Sequence, residues 1–108
     1  MSGSASRLRV CSIDEIAVGA KLQVNAPGLP TLALYRVGAM EFYCTDDICT
    51  HGSTSLTEEG ELEGPIIECG AHGGKFDVRT GEACAPPCVE PLRTYPVTLE
   101  EGWVYVDA

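Results

Sequence analysis

Two short knuckles fix what this chain can fold around. One is Cys49-Thr50-His51 and the other is Cys69-Gly70-Ala71-His72, with residues 52–68 between them. The sequence has 2 histidines, and each sits within three positions of a cysteine. Each knuckle therefore offers one thiolate and one imidazole. That donor pair suits iron–sulfur clusters or zinc and excludes hard ions such as magnesium and calcium. Glycines flank the donors at Gly52, Gly70, Gly73 and Gly74. Without a Cβ, the backbone can pass close to an inorganic body and aim its N–H groups at it. A mononuclear zinc site would accept the same residues, although zinc knuckles more often carry cysteine pairs or histidine pairs.

A length of 108 residues implies one domain, 1–108, with room for a modest core. Met1 to Ala5 is small and polar, so no secretory signal is expected there. No apolar run reaches the roughly 18 residues that span a bilayer. The expected location is cytoplasmic, where thiols stay reduced. In that setting 6 cysteines point to metal before disulfides. A net charge of -9 argues against nucleic acid and anionic membranes as partners. It suits either simple solubility or encounter with a basic protein surface.

The chain otherwise reads as short strands. Lys21 to Asn25 alternates as a half-buried strand does, and Arg7 to Cys11, Thr31 to Val37 and Phe42 to Thr45 read as further strands. Ser12 and Glu15 form a capping-box pattern over a turn that ends before Gly19. Pro65 to Glu68 and Lys75 to Val78 flank the second knuckle. Leu92 to Leu99 and Trp103 to Val106 read as a β-hairpin. Thr54 to Gly64, rich in glutamate, is expected to be a solvated connection, and Ala83 to Cys88 a loop around adjacent prolines. Cys11, Cys44, Cys84 and Cys88 are expected to be structural thiols, and Tyr95, Trp103 and Tyr105 core aromatics. The fold class is all-β, a sandwich or barrel-like domain.

The run CTHG, the later CGAHGGKFD and the Pro86-Pro87 loop together resemble a Rieske iron–sulfur protein. The nearest resemblance is to the small Rieske ferredoxins of bacterial aromatic-ring-hydroxylating dioxygenase systems, of the biphenyl, benzene and toluene type. It runs from about Phe42 to the C-terminus. It implies an antiparallel β-sandwich with a small cluster-binding subdomain at approximately 45–90. It also implies one [2Fe-2S] cluster, with Cys49 and Cys69 on one iron, His51 and His72 on the other, and the Pro86-Pro87 loop covering it. The implied role is electron carriage from an NAD(P)H-dependent flavoprotein reductase to a terminal oxygenase, docking near His51 and His72, as a monomer and not as an enzyme. With both histidines consumed, none remains for the two-histidine, one-carboxylate iron site of an oxygenase.

Respiratory-type Rieske proteins carry a further cysteine in each knuckle and a serine and tyrosine after the second histidine. Those positions here are Thr54, Ala71, Gly74 and Phe76, so the disulfide and both hydroxyl donors are missing. The resemblance therefore implies a potential near the bottom of the Rieske range of about −150 to +300 mV. The competing readings are a zinc-stabilised interaction module and the small Rieske-like subunit of a nitrite reductase-type complex.

Overall fold

A computed structural model describes residues 7–50, 52, 54–70 and 73–108. His51 and His72 lie outside the described residues, so the expectations for their imidazoles do too.

Strands β1 (Arg7–Ser12), β2 (Lys21–Val24), β3 (Leu32–Gly38) and β4 (Glu41–Asp46) open the chain. A short helix, α1 (Leu56–Glu59), precedes β5 (Glu61–Glu63), β6 (Ile66–Glu68), β7 (Lys75–Asp77) and β8 (Ala83–Ala85). The chain closes with β9 (Thr94–Tyr95), β10 (Val97–Glu100) and β11 (Trp103–Asp107). They form three antiparallel sheets, ordered β1-β11-β10, β2-β3-β4-β9 and β5-β6-β7-β8. The all-β expectation holds.

β3 is the wall between two cores. Its side chains alternate across the sheet, as a period of two requires. Leu32 and Leu34 enter a core with Cys11, Ile16, Val24, Phe42, Cys44, Val104 and Val106. Ala33 and Tyr35 enter the other, with Leu56, Ile67, Phe76, Val78, Leu92 and three cysteines. Leu32, Ala33, Leu34 and Tyr35 all have 0% exposure, so β3 is covered on both faces.

The expected hairpin is corrected at Pro96. Proline has no N–H to give a ladder, and the strand divides there. β9 pairs with β4, whereas β10 pairs with β11, so the chain changes sheet across this residue. The β10–β11 turn has positive φ at Glu101 (52°) and Gly102 (83°), the twist a tight hairpin favours. Val104 and Val106 point inward at 0% exposure. Trp103 and Tyr105 therefore point outward, and the core-aromatic expectation fails for both. Arg9 lies 4.5 Å from the Trp103 ring centroid and Arg7 lies 4.0 Å from that of Tyr105, covering the outer face by cation–π contact.

Two segments expected to be irregular contribute strands. The acidic stretch contains α1 and β5, and although Glu58, Glu59, Glu61 and Glu63 are exposed, Leu56 is fully buried. Residues 83–85 pair with β7 before the chain reaches the cis Pro86-Pro87 bond. Glu15 accepts from Ser12 N–H at 2.6 Å at the 3-10 turn Ile13–Glu15, as the capping pattern implies. Among the described residues no helix is long and apolar enough to cross a membrane.

Candidate metal centre

Both knuckles are built the same way. After β4, Cys49 N–H donates to the carbonyl of Thr54 at 2.9 Å. After β6, Cys69 N–H donates to the carbonyl of Gly74 at 2.7 Å. Each cysteine thus begins a loop closed by a bond to the residue five positions on. Ile48 bridges Ser55 at the mouth of the first loop, and Glu68 pairs with Lys75 at the mouth of the second.

The first loop stands on a buried carboxylate. Asp47 has 0% exposure. Its oxygens accept from Ser55 Oγ at 2.6 Å, Thr57 N–H and Thr57 Oγ1 at 2.8 Å each, and Gln23 Nε2 at 3.2 Å. Four donors make an otherwise costly buried carboxylate tolerable. They also tie β2, the end of β4 and the start of α1 into one base under Cys49. Sequence reasoning missed Asp47, because its partners come from separated parts of the chain.

Cys49 is 2% exposed and Cys69 0%, and both sit in the core that includes Phe76 and Ile67. A third thiol joins them. Cys88, 3% exposed, places its Sγ 3.7 Å from Cys49 Sγ. Burial, aided by Cys49 and Cys69, pushes the Cys88 thiol well above its ordinary pKa. Thr50 Oγ1 donates to the Glu90 carbonyl at 2.8 Å, a second tie between the first knuckle and the loop after β8.

The other cysteines lie elsewhere. Cys11 and Cys44 are buried in the opposite core, as expected of structural thiols. Burial, then Asp46, pushes Cys44 up to about 12, which keeps it a neutral thiol. Cys84 departs from expectation, being exposed, with its Sγ turned to the Glu82 carbonyl at 3.5 Å.

Two buried sulfurs on matched loops offer soft ligands inside a water-poor core, which fits an iron–sulfur centre. Among the described residues no three side chains gather as a complete metal-ion site.

An all-β scaffold with paired thiol loops defines a small class of iron–sulfur carriers, and comparison with known proteins narrows it. Residues 6–96 match the Rieske [2Fe-2S] domain, and the chain belongs to that family. It is 51% identical over 98 residues to the ferredoxin component of the p-cumate 2,3-dioxygenase system of Pseudomonas putida, covering 91% of this chain and 82% of that one. It is 48% identical over 99 residues to ferredoxin CarAc of Metapseudomonas resinovorans, covering 92% and 91%. Among solved structures, a chain in the complex of reduced oxygenase and oxidized ferredoxin of carbazole 1,9a-dioxygenase superposes with a TM-score of 0.89 at 46% identity, covering 94% and 92%.

Proposed function

We propose that this chain is the ferredoxin component of an aromatic-ring-hydroxylating dioxygenase system. It accepts single electrons from an NAD(P)H-dependent flavoprotein reductase and passes them to a terminal oxygenase. Its ligands are Cys49 and Cys69 on one iron and His51 and His72 on the other, within a cluster-binding subdomain of approximately 45–90 in a single domain. The observation that carries the reading is the pair of matched loops, each placing a nearly inaccessible thiol in the same core.

When bound, a [2Fe-2S] centre with two thiolates and two neutral imidazoles takes up and releases one electron at a higher potential than a four-thiolate cluster. The protein supplies the setting. Burial of Cys49 and Cys69 keeps water from the sulfur end, and the Asp47 base and the Thr50–Glu90 tie hold the first knuckle in place. Ile48 beside Cys49 and Val89 beside Cys88 are 45% and 77% exposed, offering apolar surface to a docking partner. Gly74 and Phe76 carry no hydroxyl, which favours a low potential within the family. The working location is the cytoplasm.

Reconstitution tests this. With NAD(P)H, a flavoprotein reductase and a ring-hydroxylating oxygenase, adding the brown holoprotein should support product formation, and omitting it should stop turnover. Its midpoint should fall below about +100 mV. A colourless zinc protein that supports no turnover would contradict the proposal.

A further inference from the structure

Cys88 is a buried thiol that electron carriage by four ligands leaves unused. Its surroundings are specific. Its Sγ stands 3.7 Å from that of Cys49. It also occupies the space that Gly74 leaves by having no side chain. A Cβ on Gly74 would run into Cys88 Sγ and come within 3.2 Å of Cys88 N. Cys88 N–H donates to the Ala85 carbonyl at 3.2 Å, while the Thr50–Glu90 bond holds the following residues against the first knuckle. The thiol is thus seated in a notch of the second knuckle and pressed against the sulfur of the first.

We infer that Cys88 is a positioning residue that donates its S–H to the sulfur of Cys49 and thereby raises the reduction potential of the centre. The inference rests on the proposed ligand set. A ligating Cys49 is a thiolate and has no proton to give, so of the two sulfurs only Cys88 can donate. Reduction would lower the total charge of the centre by one, so a donor to one of its ligand sulfurs would favour the reduced form more than the oxidised one. S–H is a weak donor, and the effect is correspondingly small.

Potentiometric titration of the holoproteins tests this. In Cys88→Ala the reduced-to-oxidised ratio at a fixed ambient potential should fall about fivefold to tenfold, roughly 40–60 mV downward at 59 mV per decade for one electron. Cys88→Ser keeps a donor on a shorter arm and should fall between the two. Pulsed EPR of the reduced protein in light and heavy water should show one exchangeable-proton coupling missing from the alanine variant. Cys84→Ala, which alters an exposed thiol, should leave the potential unchanged.

The sign is decisive. If Cys88 only kept water out, opening its space would raise the potential. An unchanged or raised midpoint in Cys88→Ala overturns the inference. Loss of the centre from both Cys88 variants overturns it as well, because Cys88 would then be needed to hold the cluster and not to tune it. A wild-type protein without a Rieske-type spectrum would instead overturn the ligand assignment beneath it.

Discussion

The two cores on either side of β3 are held together by different means. The one shared with β1, β10 and β11 is hydrocarbon with two inert thiols, drawn, Ile16 apart, from strands of four to seven residues. The one beneath the knuckles is drawn partly from strands of three residues that each turn few side chains inward, and it includes Cys49, Cys69 and Cys88. Three-residue strands span roughly 10 Å and bury little by themselves. The first core can close by apolar burial alone. The second encloses Cys49 and Cys69, and on the proposed function its packing is tied to the centre those thiols would hold.

The largest effect that could break this contrast comes from truncating one fully buried side chain in each core. Leu34→Ala should lower the unfolding free energy by about 2–5 kcal/mol while the folded protein keeps its iron. Phe76→Ala should cost about 3–5 kcal/mol and release iron at a lower denaturant concentration than unfolds the strands of the first core. Iron release followed beside circular dichroism separates the cases. If each variant lost iron and strand signal together, the cores would be one cooperative unit and the distinction would fail.

The same contrast sets how much the sequence discloses. Lys21 to Val24 and Trp103 to Val106 announce their strands, because alternation is a local property. So do the knuckles, since a thiolate and an imidazole two or three positions apart have few other uses. β5 and β8 are too short to show a period, and the glutamates and prolines around them carry the opposite signal. Cys88 follows two prolines in a segment read as a loop, and nothing local marks its contact with Cys49, thirty-nine positions earlier. Asp47 is silent for the same reason. Trp103 misled because an aromatic in a hairpin suggests the core, whereas its parity with Val104 places it outside.

A smaller effect sharpens the join between the sheets. Tyr95, in β9, donates its hydroxyl to Asp46 Oδ1 at 2.6 Å, pinning the strand that switches sheets at Pro96. Burial, then the Asp46 carboxylate, pushes this phenol up to about 12, above its ordinary 10. A raised folded pKa stabilises the protonated form. The contribution is therefore complete below pH 10 and is lost as pH rises through about 12. Tyr95→Phe should cost about 1 kcal/mol near neutrality, and the gap from wild type should narrow across that alkaline window in urea melts. A pH-independent gap would remove the hydrogen bond from the account.

The central claim is that Cys49 and Cys69 hold one iron of a [2Fe-2S] centre while His51 and His72 hold the other. Pulsed EPR of the dithionite-reduced protein, with iron and acid-labile sulfide assayed on the same sample, tests it most directly. The account predicts two irons and two sulfides per chain, with two imidazole nitrogens coupled to the unpaired electron and one of those couplings absent when His72 is replaced by cysteine. A centre with no nitrogen coupling, or zinc in place of iron, would contradict it.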